Sequence, residues 1–213
     1  MMKAFFKITL FSFALMGFTH LAEAQINFGV KAGLNLANMY YSDDFDALDP
    51  KMIPTFQVGV IADINLSDNF AVQPGLLLVG KGTQQKEEAA SFEYYSNPYY
   101  LQVPVNFLYK NNLFYAGLGP YVGFGLFGKE KVEFPGTNQK TDISFGSSLD
   151  DSYSALDFGA NVEAGINAGK FRVGVGYALG LANTIPGELH DQFGGVIRHG
   201  VASFNVAYMF GGE

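Results

Sequence analysis

The sequence predicts an all-β fold: an eight-stranded antiparallel up-and-down transmembrane β-barrel, preceded by a signal peptide. The chain is apolar, with 48% hydrophobic and 15% charged residues. Yet beyond its first 24 residues no apolar run reaches the roughly 18 residues of a transmembrane helix. Gly, Phe and Tyr are abundant and suit strands and turns better than helices. Apolar and polar residues alternate with a period of two, which is typical of strands with two different faces.

The beginning of the chain has the three parts of a secretory signal peptide. Lys3 and Lys7 supply the positive segment, residues 8–18 the apolar core, and the small-residue motif AEA at 22–24 a cleavage site. An uncleaved membrane anchor is the alternative. The apolar run is short for an anchor, and a good cleavage site follows it, so we favour cleavage.

We therefore predict a signal peptide at 1–24 and a barrel domain at 25–213. Removal of the signal peptide changes the formal net charge from −7 to −8. This negative charge argues against nucleic acid as a partner. The chain contains no Cys, which rules out disulfides and thiolate metal sites.

Eight candidate strands follow, each at least as long as the roughly 9–11 residues that a tilted strand needs to cross hydrocarbon. They are residues 26–39, 55–66, 70–81, 99–110, 113–129, 155–167, 170–182 and 198–210. The short connections, rich in Asn, Asp and Gly, are residues 67–69, 111–112 and 168–169. The long connections, which hold most of the acidic residues, are 40–54, 82–98, 130–154 and 183–197.

This alternation of short and long connections is typical of barrels in the bacterial outer membrane. In such barrels the short turns are periplasmic and the long loops extracellular. With eight strands, we expect both termini on the periplasmic side.

The two faces of the strands differ in a way that favours a lipid environment. Between residues 156 and 166 the even positions are all apolar (LFAVAI), whereas the odd positions are polar or Gly (DGNEG). Between residues 171 and 181 the odd positions are apolar (FVVYLL). A soluble barrel would need apolar side chains inside and charges outside. Since the apolar rows carry essentially no charge, we expect them to face lipid and the polar rows to face the lumen.

The predicted lumen is therefore polar. Its side chains are Lys31, Asn35, Gln57, Asp63, Gln73, Gln102, Asn106, Asp157, Asn161, Glu163, Arg172 and Asn205. Buried charges must be paired, because an isolated one is costly. The hypothesis is a charge network in which Lys31 and Arg172 pair with Asp63, Glu163 and Asp157. An eight-stranded barrel is only wide enough for its own side chains, so the network is expected to plug the barrel rather than line an open pore.

Catalytic, metal and cofactor sites are not predicted. Asp63 and Glu163 could form an acid–base pair, but the mature chain has only His190 and His199 and no Gly-x-Ser-x-Gly motif. The acidic run at 43–49 lacks the Gly and Glu of an EF-hand, so a solvated loop is the favoured interpretation. The glycines between 117 and 125 alternate along a strand, so we read them as space for bulky lumen neighbours rather than a phosphate loop.

Several segments resemble a known family. They are residues 28–36 (FGVKAGLNL), 73–77 (QPGLL), 100–105 (YLQVPV), 117–121 (GLGPY) and 174–177 (GVGY). They are similar to the small outer membrane β-barrel proteins of Bacteroidetes, the porin-like or PorT-type proteins, whose architecture is related to that of the OmpA and OmpX barrels. The resemblance covers nearly all of residues 25–210 and implies an outer membrane location.

Three functions remain open. The first is a structural or interaction role: loop display, membrane integrity or complex assembly. The second is porin-like transport, by a narrow channel or a hydrophobic-ligand conduit. The third is a soluble lipid binder of lipocalin type. Expected partners are outer membrane lipids, the barrel assembly machinery during biogenesis and an unidentified extracellular or periplasmic protein.

Overall fold

The structure, a computed structural model, describes residues 26–42, 50–87 and 92–210. The predicted signal peptide and the acidic run at 43–49 lie outside these residues. The strands are β1 (Ile26–Tyr41), β2 (Pro50–Lys51), β3 (Ile53–Asn65), β4 (Phe70–Gly80), β5 (Thr83–Glu87), β6 (Phe92–Lys110), β7 (Phe114–Phe134), β8 (Thr137–Asp142), β9 (Phe145–Gly146), β10 (Tyr153–Ser154), β11 (Leu156–Ala168), β12 (Phe171–Gly180) and β13 (Ile197–Met209). A short helix, α1 (Gly187–Phe193), precedes β13.

Eight of these strands form a closed antiparallel ring. The order around the ring is β1-β3-β4-β6-β7-β11-β12-β13, and β13 pairs back onto β1. Counting only these eight strands, each one pairs with the strand that precedes it and the strand that follows it in the sequence. The closing pair, β13 with β1, is the exception. The predicted eight-stranded up-and-down barrel is thus confirmed. The helix α1, the one helix among the described residues, is too short to cross a membrane.

The short and long connections lie at opposite ends of the ring, which we call the turn end and the loop end. At the turn end, the side chain of Asn111 accepts hydrogen bonds from the backbone N–H groups of Leu113 and Phe114, each at 2.8 Å. Gly169 has a φ of +62°, a conformation that favours glycine, and it joins β11 to β12. These are the short connections that the sequence predicted, within a residue or two of their predicted bounds.

The predicted long loops at 82–98 and 130–154 are wrong in part, because strands continue into them. β6 begins at Phe92 and β7 extends to Phe134, so that the two strands stay paired beyond the ring. A β-bulge leaves Leu126 without a partner where Tyr99 faces Phe127 and Tyr100 faces Gly125. The short strands β5 and β8 add to the two sides of this extension. These segments are polar and lie outside the apolar part of the barrel. They therefore lack the apolar–polar alternation from which the other strands are predicted.

The two faces of the ring strands separate as the alternation predicts. On β3, Phe56, Val58 and Val60 are 42–53% exposed, whereas the intervening Gln57 is 7% exposed. Farther along β3, Asp63 is 0% exposed. The barrel therefore carries its apolar side chains outside and its polar side chains inside. This arrangement suits a hydrocarbon surround and is the opposite of a soluble barrel.

A charge in the outward row should be costly in lipid. We expect Val60→Arg, in the middle of β3, to lower the free energy of unfolding in lipid vesicles by about 2–4 kcal/mol, the cost of a cation near the bilayer midplane. Denaturant titration of the refolded protein measures it. Leu113→Arg, at an exposed position of a short connection, is the matched control and should cost far less. Equal losses in the two variants would contradict a lipid-facing β3.

Candidate functional site in the barrel interior

The inward rows bring the predicted polar side chains into the lumen. Asn161 is half-buried, and the others are at most 9% exposed. The buried ones are Lys31, Asn35, Gln57, Asp63, Gln73, Gln102, Asn106, Asp157, Glu163, Arg172 and Asn205. Their hydrogen bonds divide them into groups at different heights in the barrel.

The group nearest the turn end is centred on Asp63. One carboxylate oxygen accepts hydrogen bonds from Arg172 Nη2 at 2.7 Å and from Lys110 Nζ at 2.8 Å. The other accepts a hydrogen bond from Gln73 Nε2, also at 2.8 Å. The Arg172 guanidinium also lies 5.7 Å from the ring centre of Tyr115, where a cation–π interaction is favourable. Four strands thus meet at one carboxylate.

The middle of the lumen holds a second ion pair. Lys31 on β1 pairs with Glu163 on β11, and Gln57 donates a hydrogen bond to Asn205. The half-buried Asn161 donates to the backbone carbonyl of Gly119 at 3.1 Å. Close by is a polar cavity of about 40 Å³, lined in part by the amides of Gln102 and Asn106. This volume suits bound water rather than a pathway for solutes.

A third group lies toward the loop end and is centred on Asp157. Its carboxylate is 2.5 Å from Lys81 Nζ and accepts a hydrogen bond from Tyr121 Oη at 3.2 Å. Lys81 is 0% exposed, and its ammonium lies 4.5 Å from the Tyr121 ring centre and 5.2 Å from that of Tyr100. The buried His199 packs edge-on against Tyr100, with ring centres 5.4 Å apart.

One part of the predicted charge network is therefore wrong. Asp157 pairs with Lys81, not with Lys31 or Arg172, and Lys31–Glu163 and Arg172–Asp63 lie in separate groups. The sequence reasoning missed Lys81 and Lys110 because both stand at strand ends. The alternation of side chains along a strand could have found them, because residues an even number of positions apart lie on the same face. Lys81 is an even number of positions from the inward Gln73, and Lys110 from the inward Asn106.

Glycines on neighbouring strands make room for the inward tyrosines. A Cβ atom at Gly159 would meet the ring of Tyr121, and one at Gly174 would meet Tyr115 Oη. These glycines belong to β11 and β12, whereas the sequence reasoning looked to the glycines of β7 itself. The tyrosine rings can thus fill the lumen beside Arg172 and Lys81.

Asp63 and Glu163, the candidate acid–base pair, lie in different groups. Asp63 and Glu163 are each bound to their own cations, and no hydrogen bond joins them as an acid–base pair. His190 Nδ1 lies 2.8 Å from the backbone carbonyl of Gly195 and 3.2 Å from the Asn183 amide. These contacts join parts of the loop that contains α1. Within residues 26–42, 50–87 and 92–210, no group of three His, Asp or Glu side chains could hold a metal ion.

Residues 19–186 match the family model described as "Outer membrane protein beta-barrel domain". The chain belongs to this family. The protein is accordingly an outer membrane β-barrel protein, and its exposed apolar surface faces lipid. A search of curated protein sequences found no match.

Several solved outer membrane proteins have a similar structure at low sequence identity. Ail, the attachment invasion locus protein of Yersinia pestis, is 11% identical, with a TM-score of 0.49 over 87% of this chain and 99% of Ail. Neisserial surface protein A is 14% identical, with a TM-score of 0.43 over 86% of this chain and 97% of its own. OprG from Pseudomonas aeruginosa is 11% identical, with a TM-score of 0.43 over 90% of this chain and 99% of its own.

Removal of the Asp63 charge should destabilise the outer membrane barrel. In Asp63→Asn, the buried Arg172 and the partly buried Lys110 lose their shared counter-ion, so we expect the free energy of unfolding to fall by about 3–5 kcal/mol. Urea titration in lipid vesicles measures the loss. Asp68→Asn, in an exposed turn, makes the same chemical change at the same end of the barrel and should be nearly neutral. A neutral Asp63→Asn would show that water, not Asp63, compensates the two cations.

Proposed function

We propose that this outer membrane barrel is closed to solutes and has a structural or interaction role, acting through its loop end. The observation that carries the proposal is the stack of paired charges in the lumen. Asp63, Glu163 and Asp157 each hold a cation, at three successive heights. A solute would have to break these pairs in an interior of low dielectric constant, which is costly.

The width of the barrel supports the same conclusion. An eight-stranded ring leaves room only for its own side chains. Here Tyr100, Tyr115 and Tyr121 add their bulk to the ion pairs and are at most 4% exposed. Porin-like transport, either as a channel or as a conduit for hydrophobic ligands, is therefore the second choice. The family membership argues against a soluble lipid binder.

The orientation in the membrane is also part of this proposal. Cleavage after residue 24 would leave both termini and the short turns in the periplasm and expose the loop end to the exterior. The partners would be outer membrane lipids, the barrel assembly machinery during biogenesis and a protein bound at either surface. No catalytic activity, cofactor or nucleic acid enters this role. We further infer a place among the PorT-type barrels of Bacteroidetes, from the segments quoted above.

Conductance tests whether the lumen is closed. In planar bilayers we expect the purified protein to give no stable single-channel steps, because the ion pairs fill the lumen. Lys81→Ser combined with Asp157→Ser removes both partners of the pair nearest the loop end and should increase ion leakage. The control, Lys131→Ser with Glu133→Ser, removes an ion pair on the β7 extension and should change nothing. Large, stable channels from the wild-type protein would rule out a closed barrel.

Cysteine labelling tests the orientation in the membrane. The sequence contains no Cys, so an introduced cysteine is the only thiol that can react. We expect Thr137→Cys, at the exposed start of β8, to react with a membrane-impermeant maleimide on intact cells. Asp68→Cys, in a short turn, should react only after the outer membrane is permeabilised. The opposite order of labelling would mean that the loop end faces the periplasm.

A further inference from the structure

A second cavity lies at the loop end, beyond the Lys81–Asp157 pair. It has a volume of about 380 Å³, within the range of pockets that hold small molecules, about 300–1,000 Å³. We call it the loop-end pocket. Its main apolar lining residues are Met39, Tyr153, Ile185, Leu189 and Ile197.

The floor of the loop-end pocket is closed. Met39 is 1% and Tyr153 7% exposed, and they pack together with Ile143. Beside them, His199 faces Met39 across the β1–β13 pair, and its ring stacks on that of Tyr153 with centres 6.3 Å apart. Tyr153 Oη donates a hydrogen bond to Ser96 Oγ at 2.8 Å, which fixes its position. A molecule in the pocket would therefore meet a closed base, not a route through the barrel.

The walls of the pocket are braced by hydrogen bonds. Asn183 Oδ1 accepts hydrogen bonds from the backbone N–H groups of Ile185 and Ile197, at 3.2 and 3.0 Å. On the opposite side, Gln85 Nε2 donates to Tyr41 Oη at 2.7 Å. The loop before α1 and the start of β13 are thus joined on one side, and β5 is joined to the end of β1 on the other. A braced pocket loses little entropy when it takes up a ligand.

The described residues that line the pocket are all uncharged. Their phenols stay neutral as well, because burial raises the pKa of Tyr41, Tyr94 and Tyr153, which lie beyond the membrane-spanning part of the barrel.

We propose that the loop-end pocket binds a small, uncharged and mainly apolar molecule, an aromatic one by preference. Tyr153 and Tyr41 offer ring surfaces, and the thioether of Met39 makes favourable contacts with aromatic rings. A charged ligand would lose its hydration without gaining a counter-ion among the described lining residues. The site lies outside the lumen plug, so binding there is independent of whether the barrel conducts.

Calorimetry with 2-naphthol tests the proposal on the full-length mature protein in lipid nanodiscs, with empty nanodiscs subtracted for partitioning into lipid. We expect saturable binding to the wild-type protein. Leu189→Trp should abolish it, because the larger ring occupies the cavity. Leu149→Trp makes the same change at an exposed leucine of the loop end, 51% exposed and outside the pocket lining, and should leave binding intact. Heat-modifiable gel mobility verifies that both variants are folded.

No saturable binding of 2-naphthol to the wild type would overturn the proposal, as would equal losses of binding in Leu189→Trp and Leu149→Trp.

Discussion

Inside a lipid bilayer no water is available to hydrogen-bond a backbone N–H or C=O group, so a sheet with a free edge cannot cross it. The pairing of β13 with β1 removes that edge. Gly29 faces Met209 at one limit of this seam and Tyr41 faces Ile197 at the other, so the closure runs along nearly the whole of both strands. The rest of the architecture depends on this closure, because a closed ring has an inside and an outside with different solvents.

The closed ring determines where polar side chains can lie. Since side chains alternate along a strand, each ring strand sends one row into lipid and the other into a lumen too narrow for bulk water. Charges in the lumen must then find partners on other strands. Lys31 on β1 reaches Glu163 on β11, and Asp63 on β3 reaches Arg172 on β12. These pairs join strands that are distant in the chain, and each pair compensates the burial of its own charges.

The loop end is built differently from the membrane-spanning part. β6 and β7 continue as a paired extension, and a bulge at Leu126 separates the alternation of the extension from that of the ring. Loop segments and α1 then fold over the opening and are held by Asn183 and His190. The large apolar pocket arises here because these segments bring apolar side chains together above the plug.

The sequence alone determined the fold class, the existence of the eight strands, the bounds of six of them to within two residues, and the inward or outward direction of each row. These are local properties, because a period of two fixes the face of every residue in a strand. It did not determine the lengths of β6 and β7, whose outer parts are polar and read as loop. Nor did it determine that Asp157 pairs with Lys81, or that Met39, Leu189 and Ile197 enclose a pocket. Those contacts join residues far apart in the chain, and only the register of the closed ring and the folding of the loops bring them together.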